Sequence, residues 1–507
     1  MREWLPEGHL AYFVVDVVGA VDTSALHAGR ANNGPGRPAY DPEVLLALLV
    51  YAYCCGVRSS RKIERLCQSD VAYRVITANR PPDHTTVARF RQGYDPLVRR
   101  LFTDVLALCA NAGLAKVGVV AIDGTKVSAN ASPAASVDLA RLGALEAKVA
   151  EIFAEAEGAD AAEDRLFGGG CDDELPPGLA GRGSRAARLA EARRQLEEAK
   201  AAQAAKRSEA ARRADAAEEE ARAKGRGPGG KAPAGREVAR AEAALGRERA
   251  RAEQRPAARR GAKAPEGYAR VRGAQARLER AKALVAAREA KPPAYLGRPS
   301  YGGEPKANTT DPDSRTMKVR GGYLQGYNAQ VAVNELGVVL AWGLSQDAND
   351  MAQLRAVLGQ VEDNLRAVGV GAGVGAVLAD AGYWTEENGT WAEARNATGE
   401  GPTVLIATSK SWKLRHKARS GGYTSGPPPQ GASAAQAMEH RLCSEEGMKL
   451  YSKRSVTVEP VFGQQKELRG FRRFARRRLG AAAAEWGLMS TAHNILKLFN
   501  AKSLAGT

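Results

Sequence analysis

The sequence predicts an α/β protein in which helices flank a mixed sheet, with an N-terminal all-α domain and a long helical, coiled-coil-like insertion. Three observations support this fold class. Residues 1–115 show helical patterns with capping residues, strand-like apolar runs begin at 117 and resume after 320, and residues 133–310 are rich in Ala, Arg and Glu. With 507 residues, the chain is long enough for about three domains. We therefore predict the following segments: an N-terminal domain 1–115, a first core strand 116–132, the insertion 133–310, and the remainder of the core 311–507.

Composition narrows the class of protein. Hydrophobic residues make up 44% and charged residues 26% of the chain, as in soluble globular proteins. The six cysteines include no Cys-x-x-Cys pair, which argues against a disulfide scaffold and a zinc finger. The sequence contains neither a membrane-spanning apolar run nor a signal-peptide pattern. We expect a cytoplasmic protein with no membrane partner.

The net charge of +17 comes mainly from one region. Residues 181–290 contain 29 Lys or Arg against 15 Asp or Glu, and 36 of these residues are Ala. Such a composition is typical of a long helix or coiled coil. The charge is therefore only a weak indication of a polyanionic partner for the rest of the chain.

Helix-capping patterns organise the N-terminal domain. Asp41-Pro42-Glu43 predicts a helix start, with an N-cap, a proline in the first turn and an acid beside it. A second, basic helix is predicted to begin at Ser59, and a third after Asp83. This helix–turn–helix pattern is compatible with DNA binding, and a plain helical bundle with a solvated basic face explains it equally well.

The insertion predicts two long helices, 184–223 and 237–290, around a Gly-rich turn at Gly225–Gly230. Together they form an antiparallel hairpin with a thin apolar seam. We expect part of it to be flexible.

Two apolar runs in the core each end in an aspartate, namely 117–123 and 375–380. Such runs without polar alternation predict buried strands. A buried carboxylate is costly unless it is paired or bound to a metal, although Asp123 can also be explained by a turn with Gly124. A hairpin turning at 334–337 and a helix with Asp350 as its N-cap lie between the two runs.

A third carboxylate, Glu459, follows the last predicted strand. Pro460 predicts that Glu459 lies near a helix start, and Lys466 lies about two turns further along. Asp123, Asp380 and Glu459 together would provide the all-oxygen ligands that Mg²⁺ or Mn²⁺ prefers. Two such ions can drive phosphodiester chemistry.

The segment after Lys466 is dense in arginine and interleaved with two phenylalanines. It predicts a phosphate-binding surface, and the alternative is a solvated cationic helix face. The arginines of this segment that we predict to bind DNA are Arg469, Arg472, Arg473, Arg476 and Arg477.

Several sequence motifs follow one another along the chain in the order found in one protein family. They are the Pro42–Arg91 block, Ala121–Thr125, Asp311–Arg315, Gly326–Gln330, Asp380–Tyr383, Val458–Gly463 and Arg469–Phe474. With them, the chain resembles DDE transposases of bacterial insertion sequences, from the branch with a Tyr-Arg-Glu-Lys signature. The resemblance covers most of the chain outside about residues 133–305.

The resemblance implies an RNase H-like fold with Asp123, Asp380 and Glu459 as the metal-binding triad. It also implies that Tyr451, Arg454 and Lys466 contact DNA near the scissile phosphate. Four residues separate Arg454 from Glu459, whereas the signature has three. Either Lys453 or Arg454 therefore fills the arginine role.

The implied activity is cleavage at transposon ends followed by joining of the 3′-OH ends to target DNA, with two divalent ions. The implied partners are terminal-repeat and target DNA, with a homodimer or larger assembly in the synaptic complex. The protein would then associate with the bacterial nucleoid. Two alternatives remain: a metal-dependent nuclease of the same fold that cuts without joining, and an inactive or non-enzymatic DNA-binding protein.

Overall fold

A computed structural model of the chain separates into two units, residues 1–192 with 307–507 and residues 193–306. The structure describes residues 2–27, 40–151, 181–223, 237–254, 264–289, 305–399, 401–409 and 411–505. The first unit is a mixed α/β arrangement with an N-terminal helical region, which confirms the predicted class at this level. No helix among the described residues has the length and apolar character needed to cross a membrane.

Helices make up the N-terminal region. They are α1 (Leu10–Ala20), α2 (Ser24–His27), α3 (Pro42–Cys54), α4 (Ser60–Ser69), α5 (Val71–Ile76), α6 (His84–Tyr94) and α7 (Val98–Asn111). The predicted cap of α3 is present, since the Asp41 carboxylate accepts the Glu43 N–H at 2.8 Å. Asp83 caps α6 in the same way. Because α3 is apolar on all sides, nearly all of it is buried.

Among the described residues, the sheet has six strands with the order β4-β5-β1-β7-β8, and β6 also pairs with β5. The strands are β1 (Val119–Ser128), β4 (Arg315–Val319), β5 (Gly322–Asn334), β6 (Val339–Ser345), β7 (Ala376–Ala379) and β8 (Thr403–Ile406). The sheet is mixed, because β1 pairs antiparallel with β5 and parallel with β7. The predicted hairpin is confirmed as β5–β6. A separate short ladder joins β2 (Ser136–Val137) to β3 (Ala307–Asn308), and helix α8 (139–151) follows β2.

Helices from the C-terminal part pack on this sheet and on the N-terminal helices. They are α12 (Gln353–Ala367), α13 (Glu386–Thr398), α14 (Ser411–Gly421), α15 (Ala434–Cys443), α16 (Glu445–Gly463) and α17 (Leu479–Ala505). Helix α17 packs on α3, α7 and β6. Its Trp486 is fully buried and donates a hydrogen bond to the Gln330 carbonyl at 3.1 Å. One apolar core therefore runs from the N-terminal helices into the sheet.

Between residues 181 and 289 the structure has α9 (Gly181–Ala223), α10 (Glu237–Glu253) and α11 (Ala269–Glu289). Helices α10 and α11 pack through a small apolar cluster that includes Leu245 and Val271. The single helix predicted over 237–290 was wrong, because α11 follows a 3₁₀ turn at Pro265–Gly267 and proline cannot continue a helix. The turn predicted at Gly225–Gly230 lies outside the described residues, and the insertion boundaries stay a prediction.

Two local predictions from helix-capping patterns were also wrong. Glu459 lies close to the end of α16, which begins after its cap Ser444, and Pro460 lies inside the helix. A turn of π-helix at Gln464–Leu468 follows directly, so the backbone departs from regular α geometry just beyond the proline. Helix α12 is capped by Ala352, not by Asp350.

Candidate active site

The register of two parallel strands places Asp123 and Asp380 side by side. Ile122 in β1 pairs with Ala379 in β7, so the next residue on each strand is an aspartate. The Asp123 Oδ1 atom accepts the N–H of Gly124 at 2.8 Å. The corresponding oxygen of Asp380 accepts the N–H of Gly382 at 2.8 Å. Each carboxylate is therefore oriented by a nearby backbone amide.

Arg454 from α16 forms an ion pair with Asp123, at 2.9 Å between Nη1 and Oδ2. Both side chains are less than one-fifth exposed. Burial raises the pKa of Asp123 to about 6, the Arg454 charge opposes this shift and the Asp380 charge adds to it. Asp123 thus carries a carboxylate whose charge is only partly compensated within the protein.

Asp350 also lies close to the two aspartates. Its Oδ1 atom accepts hydrogen bonds from Asn328 Nδ2 and Gln330 Nε2, each at 2.7 Å, and pairs with Lys126 Nζ at 3.3 Å. Asp350 was predicted to cap a helix, and these contacts reach residues at least 20 positions away. The sequence signal for these contacts is the pair of polar residues Asn328 and Gln330, which lie on the same face of β5 and need a polar partner when buried.

Two glycines make room for these carboxylates. A Cβ at Gly124 would overlap the Gln330 amide and lie 2.5 Å from Asp350 Oδ1. A Cβ at Gly382 would lie 2.9 Å from Asp380 Oδ1 and 3.3 Å from Asp350 Oδ2. The close packing of the acids therefore depends on the absence of side chains at both positions.

A buried polar layer lies behind the carboxylates. The Tyr383 hydroxyl donates to Gln330 Oε1, and both residues are fully buried. Burial raises the pKa of Tyr383 well above its ordinary value, and the charges of Asp350, Asp123 and Asp380 raise it further. Tyr383 is therefore a neutral hydrogen-bond donor beneath the site.

Glu459 lies apart from the two aspartates. It is exposed on α16 and lines a pocket of about 310 Å³ together with Tyr451, Ser452 and Arg454. Within the described part of the chain, no three His, Cys, Asp or Glu side chains are arranged to hold a metal ion. The oxygen chemistry of Asp123 and Asp380 suits a hard divalent cation. The structure brings this pair together, but it does not bring Glu459 into the same group.

Lys466 reaches the same sheet from the π-helical turn. Its Nζ atom donates to Thr125 Oγ1 and to the Lys126 carbonyl, the latter at 3.1 Å. Burial lowers the pKa of Lys466, and the charge of Arg472 lowers it further. The structure thus places a cation on β1 within three residues of Asp123.

The other two signature residues lie on α16. Tyr451 is buried, and burial raises its pKa to about 12. Lys453 is partly exposed and pairs with Glu335 at 2.8 Å. Arg454, not Lys453, contacts the aspartate pair in this structure.

The predicted DNA-binding arginines form many contacts within the protein. Arg473 donates to the Ala129 and Ala131 carbonyls, Arg477 to the Asn130 carbonyl, and Arg472 pairs with Glu467. Arg476 forms a two-point pair with Asp95 in which its side chain is 11% exposed. Arg469 donates to His493 Nδ1 at 3.5 Å. Of the five, Arg472, Arg473 and Arg477 are exposed residues, and the DNA-binding role of the set stays a prediction.

Comparison with known proteins gives two matches, one at each end of the chain. Residues 1–93 match the family described as Transposase domain (DUF772), and residues 428–499 match the family described as Transposase DDE domain. Neither the curated proteins nor the solved structures gave a match. Transposase domains at both ends indicate a DNA transposase.

More particularly, the two matches support a DDE transposase of the insertion-sequence type. The second match includes Glu459, Lys466 and the arginine segment, whereas Asp123 and Asp380 lie outside both matches. Members of this family typically use divalent metals.

Proposed function

We propose that this chain is an insertion-sequence transposase that cuts DNA at transposon ends and joins the resulting 3′-OH ends to target DNA. One observation carries the proposal. The parallel register of β1 and β7 seats Asp123 beside Asp380, with Arg454 and Lys466 next to them, in a chain with transposase matches at both ends. We propose an RNase H-like core for the sheet and a coiled-coil-like insertion between β1 and the following core strands.

We propose Asp123 and Asp380 as residues that would hold Mg²⁺ or Mn²⁺, with two ions in the working site. Glu459 lines the pocket beside Arg454 and would have to move towards the aspartate pair to act as the third ligand. When bound, these ions would activate the attacking oxygen and stabilise the departing 3′-oxygen. The oxygen donors and the raised pKa of Asp123 support this assignment. Asp123 Oδ2 pairs with Arg454, so a divalent cation bound at that oxygen would repel the guanidinium and favour its release.

The released guanidinium of Arg454 would then be available to a DNA phosphate, which it can bind through two parallel hydrogen bonds. Lys466 would hold a neighbouring backbone phosphate from its place on β1. Tyr451 would contact DNA as a neutral phenol from α16. The exposed Arg472, Arg473 and Arg477 would extend the phosphate contacts beyond the site, with Lys453, Arg469 and Arg476 as further members of the predicted surface.

The N-terminal helices would recognise or pair the transposon ends, as the DUF772 match supports. We further propose a homodimer or larger synaptic assembly, and a cytoplasmic protein that associates with the bacterial nucleoid when bound to DNA. Two ends must be held together for joining, which favours more than one copy of the chain.

The decisive experiment is cleavage of labelled DNA carrying the element's own ends, in Mg²⁺ or in EDTA. Wild type should nick the ends and expose a 3′-OH in Mg²⁺ alone. Asp123→Asn and Glu459→Gln should reduce the rate by about a thousandfold, because metal assistance supplies several kcal/mol of transition-state stabilisation. Asp347→Asn is the matched control, since Asp347 lies outside the aspartate pair and accepts a bond from Gln353 on the surface.

A pre-cut end supplied with target DNA separates joining from cutting. Joined products support the transposase, whereas cutting without joining would favour the nuclease. DNA that both wild type and variants bind but never cut would favour an inactive DNA-binding protein. Cleavage by Asp123→Asn at the wild-type rate would refute the assignment of the site.

A further inference from the structure

A second pocket lies where the end of α3, the π-helical turn and α17 meet. Its volume is about 370 Å³, and its lining includes Cys55, Gln464, Arg469, His493 and Lys497. All these residues belong to the first unit. The pocket is distinct from the aspartate pair, because neither Asp123 nor Asp380 lines it.

His493 contributes no positive charge to this pocket. One ring nitrogen, Nε2, lies 2.8 Å from the Gly337 carbonyl and must donate to it. The other nitrogen, Nδ1, therefore carries a lone pair that faces Arg469 Nη1 at 3.5 Å. Burial lowers the pKa of His493 to about 3, which agrees with this neutral form.

Two cations remain in the lining of this pocket, Arg469 and Lys497. Within the described part of the chain, neither Arg469 nor Lys497 forms a hydrogen bond or an ion pair with a carboxylate. Burial lowers the pKa of both groups, and the charge of Arg469 lowers that of Lys497 further. Adjacent, partly buried charges of the same sign are costly unless an anion compensates them.

We propose that this pocket binds a phosphate group through Arg469 and Lys497. The planar guanidinium can donate two parallel bonds to phosphate oxygens, and the ammonium supplies a compact charge beside it. Gln464 and Asn500 line the same pocket and provide neutral donors. The Cys55 thiol does not compete as an anion, because burial raises its pKa.

The phosphate could belong to a DNA backbone or to a free phosphate compound. The π-helical turn favours the first source, because Lys466 points from that turn to β1 beside the aspartates, whereas Arg469 just beyond it lines the pocket. A strand that leaves the site could therefore place a neighbouring phosphate here. This DNA source rests on the proposed function, but binding of a free phosphate does not.

The test uses the full chain and two probes. Calorimetry measures the affinity for orthophosphate, and fluorescence anisotropy measures the affinity for a labelled DNA duplex. Lys497→Met should lower affinity for at least one probe by about tenfold or more, the loss expected for a charge-assisted hydrogen bond. Lys497→Arg keeps the charge and should retain most of the binding. Lys502→Gln is the matched control, because it removes one exposed lysine from the same helix, away from the pocket.

The two probes identify the source. A weaker duplex affinity with a salt dependence reduced by about one ion assigns a DNA phosphate, and a loss confined to orthophosphate assigns a free compound. Lys497→Met should also melt no lower than wild type in phosphate-free buffer, since it removes an uncompensated charge. Unchanged affinity for both probes, or a lower melting temperature of Lys497→Met in that buffer, would overturn the proposal. Orthophosphate binding that depends on Lys497, in a chain unable to cut DNA, would refute the proposed function and leave this site intact.

Discussion

Where β1 and β7 pair, Asp123 and Asp380 lie side by side, and among the described residues a single ion pair, with Arg454, offsets their charge. In the segment 469–478, arginines are bound to backbone carbonyls and to carboxylates such as Asp95. The negative charge of the two aspartates is therefore only partly compensated. In contrast, several arginines of 469–478 hold this segment against the rest of the protein. The aspartates of the first region are available to a cation, whereas Arg473, Arg476 and Arg477 of the second already bind groups of the protein itself.

The largest effect is expected at Asp350. This residue lies close to Asp380 and also accepts hydrogen bonds from buried amides. Asp350→Ala should lower the free energy of unfolding by about 2–5 kcal/mol, because the buried Gln330 amide loses its acceptor and Asn328 keeps only the Asn349 carbonyl. Chemical denaturation of the full chain measures this. Asp347→Ala, in the same loop, should change stability by less than about 0.5 kcal/mol. Equal effects of the two variants would remove Asp350 from the buried network.

The pH dependence of stability sharpens the account of the edge. Because the pKa of Asp123 is raised to about 6 in the folded chain, the folded state binds its proton more tightly than the unfolded state does. Protonation of Asp123 thus contributes fully to the free energy of unfolding below pH about 4, and this contribution is lost as the pH rises through about 6.

Relative to Asp123→Asn, wild type should therefore lose up to about 3 kcal/mol of unfolding free energy over this range. Denaturant unfolding in EDTA from pH 4 to 7 measures the difference between the two proteins. A difference that stays constant with pH would contradict the raised pKa.

Arg476 and Arg472 differ in how deeply their ion pairs are buried. Arg476→Met should cost about 2 kcal/mol of stability, because it leaves the half-buried Asp95 without its partner. Arg472→Met should cost less than about 1 kcal/mol, since its ion pair is exposed.

Duplex binding as a function of salt completes this comparison. If Arg472 contacts a phosphate, its removal should reduce the salt dependence by about one ion, while the fold stays unchanged. A loss of stability in Arg472→Met as large as that in Arg476→Met would erase the distinction.

The smallest expected effect concerns the glycine that the acids pack against. Gly124→Ala should destabilise the chain by about 1–2 kcal/mol, because the added methyl group would overlap the Gln330 amide. Gly19→Ala in α1 is the control of opposite sign. A Cβ there meets nothing within 4 Å, so helix propensity should stabilise the chain by about 0.5–1 kcal/mol. Thermal melting of both variants measures the contrast, and stabilisation of Gly124→Ala would show that the packing is looser than described.

The local features of this chain follow from its sequence. Caps such as Asp41 and Asp83 and the apolar runs of β1 and β7 depend on neighbours a few residues away. The placement of aspartates after both runs was visible for the same reason, and parallel pairing then brought them to one edge. The β5–β6 hairpin was also predictable, because its turn and its strands are adjacent in the chain.

Tertiary structure alone decided how the charged side chains are used. Asp350 left its expected capping role because Asn328 and Gln330 on a neighbouring strand present two amides to it. Arg476 meets Asp95 across 381 positions, and Glu459 stays exposed on a helix that begins far earlier than its proline suggested. Such partners are set by which segments the fold brings together. Spacing along the chain predicts where a carboxylate or a guanidinium stands on its own element, but the other element that meets it is determined by packing.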